Sequence, residues 1–173
     1  MNSPSLVISL ERFATVLPVL VRDVPASDAR WKPPDGAWSI LEVLGHLADE
    51  EVEDFRTRLE LTLRDPTLLW PPIDPERSAV ERRYNEADLH VVLDRFLTER
   101  QQSISWLKSL PANTNWSISR SHPTAGTLHA GDLLASWAAH DLLHLRQITK
   151  RLFQITQRDA GTFETRYAGE WKA

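Results

Sequence analysis

Four stretches of this chain place apolar residues at alternating spacings of three and four, and no stretch alternates long enough to build a sheet. The first runs through Leu6, Leu10, Phe13, Leu17 and Leu20 and predicts a helix over about 4–22. The second opens on Ser39-Ile40-Leu41-Glu42, a capping box, and continues through Leu44, Ala48, Val52, Phe55 and Leu59 to about residue 63. The third, over 86–110, carries Leu89, Leu93, Phe96, Ile104 and Leu107 and stops at Pro111. The fourth begins between Thr127 and Gly131 and passes through Leu133, Leu134, Trp137, Leu145 and Ile148 to about Phe153. Each stripe must be covered by another, so the expected architecture is an all-α four-helix bundle, a single domain over 1–173. Residues 66–84, with Pro66, Pro71, Pro72 and Pro75, read as an irregular crossover. Its length suits an up-down-down-up order as well as a simple up-down one. Loops are expected around 24–36, and an extended or hairpin-like excursion over 111–127.

Composition narrows what such a bundle can do. A chain of 173 residues buries roughly 70% of its unfolded surface, enough for a core without staples. With no cysteine there can be no disulfide, thiolate metal site or cysteine nucleophile, and any thiol chemistry must bring its thiol from outside. Twenty basic against 24 acidic residues, a net charge of −4, does not supply the basic footprint that holds phosphate backbones, so no nucleic-acid partner is expected. No apolar run is read as long enough to span a membrane, and the start Met1-Asn2-Ser3-Pro4-Ser5 lacks a secretory signal, so the expected compartment is the cytoplasm. Seven tryptophans and six histidines are the residues in excess.

The fourth stretch contains His140-Asp141-Leu142-Leu143-His144. Histidines four apart stack on one helical face about 6 Å apart along the axis, so both rings can reach one ion. The HExxH zinc signature is not met, because Asp141 and two leucines stand between the pair. A surface pair at this spacing also arises without any ligand role. His46, in the middle of the second stretch, reads alone as a satisfied core histidine. With His140 and His144 it would complete three neutral imidazoles around a divalent ion and leave positions open for water or substrate.

The run Trp38-Ser39-Ile40-Leu41-Glu42-Val43-Leu44-Gly45-His46-Leu47-Ala48-Asp49-Glu50, followed by His140-Asp141-Leu142-Leu143-His144-Leu145-Arg146-Gln147-Ile148, resembles the DinB-like superfamily, including its YfiT-type members described as metal-dependent hydrolases. The resemblance covers about residues 5–155. It implies a four-helix bundle in which His46, His140 and His144 bind nickel, zinc or a similar divalent ion. It also implies hydrolysis, or transfer dependent on a low-molecular-weight thiol, acting on a small-molecule substrate. A metal with an open position lowers the pKa of bound water or thiol and polarises a carbonyl, so one site serves either reaction.

Each ligating imidazole needs a partner for its other nitrogen. Glu50, one turn beyond His46, is the candidate; Asp49 and Asp141 are neighbours, and the plainer reading of all three is a solvated face or ion pairs, Asp49 with Arg146 among them. His122 and His129 flank Gly126, where they either line the mouth of the site, supply an extra ligand or are simply exposed, and His90 points to solvent. Trp106 and Trp137 read as packing, Trp38 as a staple before the Ser39 cap, and Trp31, Trp70 and Trp116 as loop residues able to wall a pocket. The alternative to an enzyme is a non-catalytic metal-binding or stress-associated protein serving self-association. In either case a homodimer through an exposed helix face is expected.

Overall fold

The computed structural model describes residues 1–172; Ala173, the last residue of the expected domain, lies outside them. Seven α-helices occur among the described residues: α1 (Ser3–Val21), α2 (Ala26–Ala29), α3 (Ile40–Asp49), α4 (Arg56–Arg64), α5 (Pro75–Glu81), α6 (Leu89–Ser109) and α7 (Ala130–Asp159). A π-helical segment, Glu50–Phe55, joins α3 to α4, so the second predicted helix is one rod with a wide turn in its middle. Strands β1 (Ser119–His122) and β2 (Gly126–His129) pair antiparallel, Arg120 opposite Leu128, and supply the expected hairpin. Gly126, at φ +72°, takes the left-handed conformation its turn requires.

The chain is a four-helix bundle built on α1, the α3–α4 rod, α6 and α7. The first packs against α6 and α7, and the rod packs against the same two. Two apolar clusters fill it. Phe13, Leu17 and Val21 from the end of α1 meet Ile40–Ala48, Leu89, Leu93 and Phe96 from the starts of α3 and α6, with Ile148 and Ile155 from the end of α7. Val7 and Leu10 meet Phe55, Leu59, Ile104, Leu107, Leu133, Leu134 and Trp137 in the other. The structure keeps Ser39 as α3's cap, its hydroxyl accepting from the Glu42 amide while Glu42 accepts from the Ser39 amide.

Three expectations are corrected. The crossover is not wholly irregular. Asp74 caps α5 by accepting from the Arg77 amide, and Pro75 occupies the first helical position, where a missing N–H costs nothing. Val52 is only half-buried, because the wider turn of the π segment brings Glu51, Asp54 and Phe55 inward instead. Thr57 donates to the Val52 carbonyl at 2.5 Å within that turn. Finally, α1 is long and apolar enough to cross a membrane, with 19 residues and a mean hydropathy of 1.5. Here it serves as a bundle helix that buries Val7, Leu10, Phe13, Leu17 and Val21 and leaves Ile8, Val16 and Val19 exposed.

One glycine on α3 is fixed by contact. A Cβ on Gly45 would stand 2.6 Å from the Tyr84 ring, so the crossover can lie flat on α3 only over a residue without a side chain. Tyr84 in turn donates to Asp49, which also takes Arg82 and Arg95. These contacts pin the crossover across the rod next to His46. They also replace the expected pairing of Asp49 with Arg146, which is exposed.

Candidate metal centre

The α3 helix brings in His46, and α7 brings in His140 and His144. The three rings turn their Nε2 atoms toward one another, 3.3 Å from His46 to His140 and 2.9 Å from His140 to His144. All three offer a ligand nitrogen within 4.8 Å of the others. Nitrogens about 2.0–2.1 Å from one ion stand about 2.8–3.4 Å apart at angles between 90° and 109°, so this cluster is close to metal-ready. Packing holds it there. The Trp38 ring lies edge-on to His46 at 5.1 Å, and Phe55 edge-on to His140 at 5.0 Å.

The protonation states suit ligation. Burial, then the neighbouring His144, pulls His46 down from 6.5 to about 3. Burial, then His144 and His46, pulls His140 down to about 2, and burial also lowers His144. Three neutral imidazoles therefore point lone pairs at one spot near neutral pH. Gln147 fixes the third ring. Its Oε1 accepts from His144 Nδ1 at 2.7 Å, which places the proton on Nδ1 and leaves Nε2 free. Replacing Gln147 with Leu removes that acceptor, and metal affinity should fall about 10–100-fold with the fold unchanged. A chelator-competition titration checks this, and an undiminished affinity would contradict it.

The expected partner Glu50 stands 3.6 Å from His46 Nδ1, adjacent but beyond hydrogen-bond length. Burial, then its bond to Asp54 and the charge there, raises its carboxyl to about 9. Asp54 is itself held by Arg58 at 2.9 Å. Asp141, the other acid beside the pair, faces away into the core (below). Neither loop histidine reaches the cluster. His122 packs beside Trp70, and His129 caps α7 through Asp132. Trp70 walls no cleft at the histidines, being stacked by Arg58 and Arg120 at 4.9 and 4.2 Å.

These shifts set a stability profile for metal-free protein. Unfolded imidazoles take protons near pH 6.5 and the folded ones do not, so acidification below 6.5 favours unfolding. Glu50 works oppositely: its folded form keeps a proton the unfolded chain gives up above 4.5, a contribution lost as pH rises toward 9. Between 4.5 and 6.5 three histidines oppose two carboxyls, Glu50 and, up to about 6, Asp141, which burial also raises. Chelator-treated protein should therefore melt highest near pH 6.5 and lower on either side, and a melting temperature that climbs from 6.5 to 5 would contradict this.

Two clefts open on the cluster, one on either side of α5, and share His46 and Pro75. The larger, about 650 Å³, is walled by Trp38, His46, His144, Gln147 and Arg151. The smaller, about 430 Å³, is walled by Asp49, Glu50, Glu53, Glu81 and Arg82 and is mainly acidic. Residues beyond the histidines that shape the site, Gln147, Arg151 and the whole of α5, escape a reading of the sequence alone. The one signal for α5 was the Asp74-Pro75 start.

A helical bundle with three converging, uncharged imidazoles, two of them lining an open cleft, defines a class of candidate metalloprotein. The chain belongs to the DinB superfamily, whose profile matches residues 9–148. Among solved structures it is similar to YfiT from Bacillus subtilis, described as a probable metal-dependent hydrolase with an unusual four-helix bundle topology. The TM-score is 0.79 and the identity 20%, over 90% of this chain and 88% of that one. No curated protein matches the sequence.

Proposed function

We propose that this protein is a metal-dependent enzyme in which His46, His140 and His144 hold one divalent ion, nickel or zinc, and act on a small-molecule electrophile with water or an exogenous low-molecular-weight thiol. The observation that carries the reading is the convergence of three Nε2 atoms at 2.9 and 3.3 Å, with His46 and His144 lining an accessible cleft. A structural site is closed by a fourth protein ligand, whereas no fourth His, Cys, Asp or Glu joins this group among the described residues. Such an ion, when bound, activates water or thiol at neutral pH and polarises a carbonyl.

The chain's own residues do the rest. Gln147 keeps the His144 proton on Nδ1. Trp38 and Phe55 hold two rings edge-on and shield them from solvent. Glu50, bonded to Asp54, stands one turn from His46 at the acidic cleft. The similarity to YfiT supports the fold on which this is built, and its description as a metal-dependent hydrolase agrees with the proposed chemistry.

Cobalt-substituted protein tests the reading. Adding a low-molecular-weight thiol should change the visible cobalt spectrum saturably, because an open position takes the new ligand, and activated esters should turn over only when metal is present. A cobalt spectrum indifferent to thiol and small anions, with no metal-dependent turnover, would favour a sealed, non-catalytic metal-binding protein.

A further inference from the structure

The larger cleft contains a cation that feels Asp35 and Glu42 from a distance but forms no direct ion pair with any carboxylate among the described residues. Arg151, two turns beyond His144 on α7, is only 5% exposed, although it lines the cleft. Its Nε donates to the Trp38 carbonyl at 3.0 Å and its Nη1 to Gln154, both neutral acceptors. Among the described residues Nη2 has no partner, and no carboxylate lies within ion-pair distance of the guanidinium. The nearest acids are engaged elsewhere. Glu42 is taken by Lys32 at 2.7 Å and by the Ser39 amide at 2.8 Å, and Asp35 accepts from the Ala37 amide at 3.1 Å. Glu76, also on this cleft, accepts from the Trp38 indole at 3.2 Å. Burying a guanidinium without an anionic partner is costly, and a site that does so is arranged for a partner that comes from solution. An arginine fork matches two oxygens of a carboxylate or phosphate.

We propose that the larger cleft binds an anionic oxygen group of the substrate, a carboxylate or a phosphate, on Arg151, while the reacting end of the same molecule lies against the three histidines. The separation of His144 and Arg151 along the helix, about 10 Å, sets the length of the molecule. Lys150, exposed on the same rim, adds positive charge at the entrance. The placement of the reacting end rests on the proposed function; the anion seat rests on Arg151 alone.

The test titrates the full chain, as purified and after chelation, with propionate, inorganic phosphate and neutral propionamide, following the Trp38 indole proton by NMR, with metal content measured separately. Wild type should bind propionate, phosphate or both saturably in either metal state, and should ignore propionamide. Binding of propionate alone identifies a carboxylate, and of phosphate alone a phosphate. Arg151→Gln should bind more than tenfold more weakly, and Arg151→Lys, which keeps the charge but not the fork, should fall between. Absence of saturable binding, equal response to propionamide, or undiminished affinity in a folded Arg151→Gln would overturn the proposal. If Arg151→Gln does not fold, the propionate–propionamide contrast in wild type decides. Anion binding in a protein that takes up no metal would leave the anion seat standing and remove the metal reading.

Discussion

Arg100→Met should destabilise the protein by about 3–5 kcal/mol, a large share of the 5–15 kcal/mol that holds most domains together. Arg100 lies at the centre of the bundle, 1% exposed, stacked near Phe13, Phe96 and Trp137. Its guanidinium grips Asp141 bidentately at 2.6 and 2.7 Å and Glu51 at 2.6 and 2.8 Å, and reaches the Leu10 carbonyl at 3.2 Å. Trp137 donates to the same Glu51 oxygen at 2.9 Å, while the other, Oε2, is buried without a partner. Methionine fills much of the volume but leaves two carboxylates uncompensated in a dry core. The triple replacement Arg100→Met, Glu51→Leu, Asp141→Leu removes every charge at once, so it should cost less than the single change. Urea unfolding of the two variants measures this. A single variant within about 1 kcal/mol of wild type would show that the network contributes little.

Alanine at His46, His140 or His144 should each cost roughly two orders of magnitude or more in metal affinity. A four-ligand zinc site is worth about 10–16 kcal/mol, about 3 kcal/mol per ligand, which converts to about a hundredfold. The three variants should behave alike, because two neutral nitrogens no longer define a site. His90→Ala, on an exposed residue in the first turn of α6, should bind as wild type does. Circular dichroism separates loss of ligand from loss of fold. Retained stoichiometric binding in any folded triad variant would remove that histidine from the site.

What the sequence disclosed follows from which interactions are local. The four long helices were legible because apolar spacing and the Ser39 cap act within a few residues. The pair His140 and His144 was legible for the same reason. His46 depended on tertiary placement: three imidazoles around one ion suggested joining it to the pair, and the resemblance to a family implied the same set. The buried triad was not legible: Glu51, Arg100 and Asp141 come from three helices, and each taken singly reads as a solvated charge. Nor was the π turn, which has no sequence signature in Glu50–Phe55, although it is what turns Glu51 inward. Gln147 carries no charge to mark it as a partner, yet an amide one turn beyond His144 meets the same need.

The central claim is that His46, His140 and His144 share one divalent ion. X-ray absorption at the metal edge, on protein loaded to one equivalent with nickel or zinc, tests it most directly. The account predicts a shell of three imidazole nitrogens at about 2.0–2.1 Å for zinc, recognised by outer-shell scattering from their rings, with oxygen ligands completing it, and loss of one imidazole or of the metal itself in His144→Ala. A bound metal whose spectrum lacks imidazole scattering, or a protein that takes up no metal, would contradict it.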